Sequence, residues 1–262
     1  MGRRGPPIDF SMVMPLTYFV RILVITNVVV WFLGIVVLEQ HFLPQHYITN
    51  YLSLVPYDLL RHFFIWQPFS YLFIHTASPW QLIFNMLLLW GLGGQLERLW
   101  GSKFFALFYF VSGVGAAFLY SLAAIAYSLV SGQADILVAP VFGASAALFG
   151  LLVAYGVLFG EQTVYFMFFF AMKAKYFVAI LAGIELVLIL NNGPVQGKVA
   201  DLAHVGGLIT GYAFLKIWPR LKGGGKGVGG FGRSGKLRNK KLRLVVNNNE
   251  DLAGDEKPKY WN

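Results

Sequence analysis

Long apolar stretches alternate with short polar ones along this chain, and six of them read as membrane helices: roughly 18–38, 80–96, 104–130, 143–160, 175–191 and 200–218. A helix that crosses the hydrocarbon core needs about 20 mostly apolar residues. The second and sixth are on the short side, which suits a bundle that thins the membrane locally. The first is too long for a cleaved signal peptide, and no small-residue cleavage site follows it. Residues 39–79 form a long outer loop containing Trp66, Phe69, Tyr71 and Phe73, whose rings favour the headgroup region. The segment 161–174 is apolar but would overextend span five if fused to it. It reads as a loop lying on the interface, with Lys173 and Lys175 at the entry to that span. The pattern predicts an all-α, polytopic membrane helix bundle of six transmembrane helices over 18–218. A short segment, 1–17, precedes it and a tail, 219–262, follows.

Composition agrees with this pattern. Hydrophobic residues make up 57% and charged residues 13% of 262, against about 25% charged in soluble domains. That is too little charge to cover a water-facing surface. With no cysteine, disulfides and cysteine-ligated metals are excluded.

The net charge of +9 informs mainly through its placement. With the N-terminus cytoplasmic, that side receives Arg3, Arg4, Arg21, Arg98, Lys103, Lys173, Lys175 and the twelve cations from Lys216 onward. The opposite side keeps Arg61 and Lys198. Such asymmetry is what the positive-inside rule expects when both termini are cytoplasmic. From about 221 the chain turns glycine-rich, then basic (Lys236 to Arg243), then polar (Asn247 to Asp251), a composition that predicts disorder. This tail reads as a topology determinant or a site for anionic lipid headgroups rather than for nucleic acid. The compact six-span form without a targeting segment suggests a bacterial cytoplasmic membrane.

Under this topology spans two, four and six all enter from the outer side, and each carries polar residues near that entrance. These are Gln81 and Asn85, Ser145, and His204, all within roughly 10 Å of the outer helix ends at 1.5 Å per residue. Polar groups inside membrane helices are costly and tend to mark function. A serine hydroxyl becomes a nucleophile when a neutral imidazole takes its proton, and acyl transfer needs donors for the developing oxyanion. Gln81 and Asn85 stand one turn apart, so their amides share a face. The Ser145 N–H, at a helix start, can supply a third donor, and Gly143 leaves room for a substrate backbone. Each residue alone has an ordinary reading: Ser145 as small-residue packing, His204 as a satisfied bundle histidine, Gln81 and Asn85 as interhelical hydrogen bonding, Gly207 and Gly211 as a packing seam. Their common depth is what favours chemistry.

At these residues the chain resembles the rhomboid family of intramembrane serine proteases, over about 65–220. Trp66 and the aromatic run to His75 resemble the family's outer-loop segment. The run Gly91-Leu92-Gly93-Gly94-Gln95-Leu96-Glu97-Arg98, with Gly101-Ser102, resembles the end of its second helix. Gly143-Ala144-Ser145 with Phe149 and Gly150 resembles the nucleophile segment, and Ala203-His204 with Gly206, Gly207 and Gly211 the histidine segment. The resemblance implies a dyad of Ser145 as nucleophile and His204 as general base, with Phe149 packed on the imidazole. It also implies hydrolysis of transmembrane helices of other proteins near the membrane surface, with membrane lipids as surroundings and no cofactor. Two residues depart from the family pattern: Gln81 stands where a histidine is usual, and Ala146 where glycine is. Either would retune the site while leaving the dyad in place. By the same alignment His75 is structural.

Glu185, inside span five, is expected to be protonated or paired, in a structural or a gating role. Asp201 is expected to cap the last span rather than join a triad. A non-catalytic rhomboid-like chaperone or scaffold is the main competing reading. A transporter is disfavoured because no broken helix or inverted repeat stands out, and a metal hydrolase because the five histidines (41, 46, 62, 75 and 204) form no helical pair.

Overall fold

The computed structural model describes residues 16–44, 46–166, 170–192 and 199–221. The expectations for segment 1–17, apart from its last two residues, and for the tail beyond Leu221 lie outside the described residues. Long helices form where the apolar stretches lie: α1 (Tyr18–Glu39), α5 (Pro79–Leu88), α7 (Ser102–Ser131), α9 (Ser145–Leu158), α10 (Ala174–Asn192) and α11 (Val199–Leu221). Helix α5 runs on through Leu89–Gly93, wound with wider π-type turns, into α6 (Gly94–Trp100). Short helices α2 (Tyr47–Leu52), α3 (Pro56–Arg61) and α4 (Gln67–Ser70) lie between α1 and α5, and α8 (Asp135–Val138) precedes α9. Two of the described helices, α1 and α7, are long and apolar enough to cross a bilayer by themselves.

One element departs from the all-α expectation. Residues 161–174, read from sequence as an interfacial loop, include an antiparallel hairpin of β1 (Thr163–Phe166) and β2 (Phe170–Lys173), with Thr163 opposite Lys173. The run is rich in β-branched and aromatic residues, which favour strands over helix. Its ends are closed by Ala174 N–H to the Gln162 carbonyl (2.9 Å) and Lys175 N–H to the Gly160 carbonyl (3.1 Å). Glu161 bonds both Lys173 (2.7 Å) and Lys175. Those bonds, the Lys173 one foremost, hold the Glu161 carboxyl down at about 2.

Helix α9 is the centre of the bundle. It buries Ala146, Ala147, Leu148, Gly150, Leu151, Leu152, Ala154 and Tyr155, which cover about two thirds of its circumference, while the remaining face carries Ser145 and Phe149. Glycines set how closely its neighbours approach. A Cβ on Gly207 of α11 would overlap the Ala146 carbonyl oxygen, and one on Gly211 would lie 2.8 Å from the Gly150 Cα. The Gly207/Gly211 pair is thus a packing seam that brings α11 onto α9 backbone to backbone. Helix α7 packs on both: Ser112 and Gly113 meet Gly150 and Ala147 of α9, and Gly115 and Ala116 meet Thr210 and Gly206 of α11.

The far end of the bundle is tied by Glu97. Its carboxylate, 3% exposed, accepts the Phe19 N–H (2.8 Å), the Val20 N–H (2.9 Å) and the hydroxyls of Thr17 and Ser102. A carboxylate from α6 thereby caps the start of α1, where the helix dipole favours negative charge. Gly101, at φ +78°, makes the turn between α6 and α7 in a region that suits glycine.

Candidate active site

The loop before Ser145 is set in place by three backbone contacts. Leu54 and Val141 exchange both N–H···O bonds (2.8 and 2.9 Å), and the Gly143 N–H donates to the Tyr71 carbonyl (2.9 Å). Tyr71 is itself fully buried, its hydroxyl donating to the Gly113 carbonyl (2.7 Å). Gly143 then takes φ +120°, left-handed backbone that suits glycine, and α9 begins two residues on, with Ser145 at its first position. Fourteen residues of α9 span about 21 Å, so Ser145 starts a helix shorter than a bilayer core.

The expected residues come together. Ser145 Oγ lies 2.8 Å from His204 Nε2, a bond between residues 59 apart in sequence. With the ring proton on Nδ1, the hydroxyl donates and Nε2 accepts. Phe149, one turn along α9, stacks on the imidazole with ring centroids 4.4 Å apart and planes 12° from parallel. A Cβ placed on Gly143 would sit 3.2 Å from Gln81 Nε2, 3.5 Å from Ser145 Oγ and 3.8 Å from Asn85 Nδ2. The two amide nitrogens and the hydroxyl therefore border one small space that only a missing side chain leaves open. As the first residue of α9, Ser145 also has an N–H with no partner within its own helix.

Asp201 lies in the first turn of α11, which begins at Val199, so it is not the cap expected from the sequence. It is buried, three residues before the histidine. Glu185 falls within α10, and its side chain lies outside the described residues.

Sequence reasoning gave His75 no part in this space. The ring is 1% exposed, Nε2 is 3.2 Å from Asn85 Nδ2, and Nδ1 is 3.4 Å from the Phe73 carbonyl. The Thr76 N–H, likewise unforeseen, donates to Gln81 Oε1 (3.0 Å). Spacing carries no sign of either, because both contacts arise where the chain folds back over the start of α5.

Comparison with known proteins matches residues 21–239 to a family described as "Eukaryotic integral membrane protein (DUF1751)". The chain belongs to that family. It is also similar to RHOMBOID-like protein 1 of Arabidopsis thaliana, 32% identical over 149 residues, covering 56% of this chain and 33% of that protein. RHOMBOID-like protein 2 of the same plant is 34% identical over 148 residues, covering 56% of this chain and 40% of that protein. Rhomboid protease GluP of Bacillus subtilis is 28% identical over 150 residues, covering 56% and 25%. The rhomboid resemblance of the motifs is thus borne out as distant homology, and the chain is an integral membrane protein. The match spans a quarter to two fifths of these relatives' lengths. The family's description is eukaryotic, which is not the bacterial setting expected from the sequence.

Proposed function

We propose that this chain is an intramembrane serine endopeptidase that hydrolyses peptide bonds in or near transmembrane helices of other membrane proteins. The observation that carries this reading is the 2.8 Å Ser145 Oγ–His204 Nε2 contact beside the space bordered by Gln81, Asn85 and Gly143.

His204 Nε2 takes the Ser145 proton as Oγ bonds to the scissile carbonyl carbon. The electron pair displaced onto the carbonyl oxygen is met by N–H donors of Gln81, Asn85 and the Ser145 backbone, aimed where charge develops rather than where it already stands. The imidazolium then protonates the leaving amine, the C–N bond breaks, and an acyl-serine remains. Water, deprotonated by the same nitrogen, releases the acid and restores the hydroxyl. The stack with Phe149 holds the ring in plane through both transfers. Six helices crossing the membrane, with both termini cytoplasmic, put this chemistry at the outer surface. There a substrate helix unwinds into water and exposes a peptide bond otherwise shielded by its own hydrogen bonds.

The test is labelling of purified, reconstituted protein by a fluorophosphonate probe. Wild type is expected to label, and Ser145→Ala and His204→Ala to fail at unchanged thermal stability. Cleavage of a transmembrane substrate should follow the same order. Well-folded wild type that neither labels nor cleaves would overturn the hydrolase and leave a rhomboid-like scaffold.

A further inference from the structure

The two amides that border the Gly143 space can each present either end, and only their nitrogen ends can stabilise an anion. What settles their direction lies in the turn before α5. A backbone N–H can only donate, so the Thr76 N–H at 3.0 Å must meet the oxygen of Gln81. That occupies Oε1 and leaves Nε2 toward Gly143. A carbonyl can only accept, so the Phe73 carbonyl at 3.4 Å from His75 Nδ1 calls for a proton on Nδ1. In the neutral ring Nε2 is then bare, and at 3.2 Å it must accept from Asn85 Nδ2. One Asn85 N–H is spent on the imidazole and the second is left for the Gly143 space. Burial keeps the ring neutral, pushing His75 down to about 4 against the weaker pull of the Phe73 carbonyl. The turn itself is tied to α1, because the Trp31 indole N–H donates to the Thr76 carbonyl (2.8 Å).

We propose that the His75–Thr76 turn is the positioning device of this site: neutral His75 and the Thr76 amide lock Asn85 and Gln81 with their donor ends toward the reacting carbonyl. His75 acts through Asn85 and touches no reacting atom. The proposal rests on the hydrolase reading for its consequence, though not for its geometry.

Two measurements separate these. The first reads the ring without turnover, by nitrogen resonances of 15N-histidine-labelled protein in nanodiscs, with His75→Gln identifying the signal. His75 is expected neutral at pH 7, protonated on Nδ1, and shifted by Asn85→Ala while Ser145→Ala leaves it in place. A proton on Nε2, or a signal indifferent to Asn85→Ala, would overturn the lock. The second is the rate of fluorophosphonate labelling. His75→Ala is expected to lower the maximal rate by roughly tenfold to a hundredfold, somewhat less than deleting a donor outright, with the probe concentration at half-maximal rate unchanged. His75→Gln, whose side-chain oxygen can accept the same N–H, should recover most of the rate. An unchanged rate in His75→Ala sinks the proposal, as does loss in both variants in step with lowered thermal stability. Wild type that fails to label while the resonances behave as expected would sink the hydrolase and leave the amide lock standing.

Discussion

At the scale of single residues, the site depends on one absent side chain and one uncharged ring. Gly143→Ala forces an L-residue to φ +120°, at a cost of about 1–3 kcal/mol. Its methyl would also press on Gln81 Nε2 at 3.2 Å. We expect a modest fall in melting temperature and a far larger fall in probe labelling; normal labelling would show that the space is not used. His75 adds a pH dependence. An unfolded imidazole binds its proton below its ordinary 6.5 and the buried one only near 4, so between those values the unfolded state holds more protons. Stability is therefore complete above 6.5 and declines as pH falls toward 4, by on the order of 3 kcal/mol. Melting at pH 7.5 and 4.5 checks this, since His75→Gln should lose less than wild type across the interval. Ser145, His204, Gln81 and Asn85 were legible in the sequence because each is a polar group in an apolar helix. His75 was noticed only as structural, since nothing in its surroundings marks a loop histidine as the partner of a distant amide.

At the scale of elements, two contacts decide how the helices meet. Glu97 accepts four hydrogen bonds from the starts of α1 and α7. Glu97→Ala leaves buried donors unmet and is expected to cost about 3 kcal/mol, seen as a lowered melting temperature in detergent. The Glu97-Arg98 pair was read as part of a motif at the end of the second helix, but its capping of a helix 77 residues earlier could not be read locally. Gly207→Leu acts differently, because the side chain meets the Ala146 carbonyl and must drive α11 off α9. The Ser145–His204 contact should open, so labelling is lost even where helix content by circular dichroism is retained. Labelling at the wild-type rate would mean the seam tolerates bulk. The helices of the six apolar stretches were the most legible part of the fold, whereas the short helices α2, α3 and α4, inside the segment read as a loop, have no apolar length to mark them. The β1–β2 hairpin was not legible either: its residues are apolar enough for membrane or strand, and it is the backbone ladder, closed by the Ala174–Gln162 and Lys175–Gly160 bonds, that makes them strands.

At the scale of the whole molecule, the proposed function and its six-span topology put Ser145 and the β-hairpin at opposite faces of the membrane. The charge distribution argues for it, with nearly all cations on one side under the six-span topology. The fold is compatible: α9 runs from Ser145 to Leu158 and reaches the hairpin within a few residues. Exposed apolar side chains at Phe63 (75%) and Ile65 (76%) belong to the loop segment between α3 and α4, on the site side of this scheme. Because the chain has no cysteine, single introduced thiols report position without background. In oriented cells or sealed vesicles, a membrane-impermeant maleimide should reach Phe63→Cys from the outer face. Gln162→Cys, beside the hairpin, should react only once the membrane is permeabilised. Both sites labelling from the same face would break the topology, and with it the assignment of the Ser145 end to the outer surface, whatever the dyad does in detergent. Opposite labelling would leave the serine and histidine near the outer surface, the level the proposed cleavage of a transmembrane helix calls for, a placement that neither the Ser145–His204 distance nor the family match supplies alone.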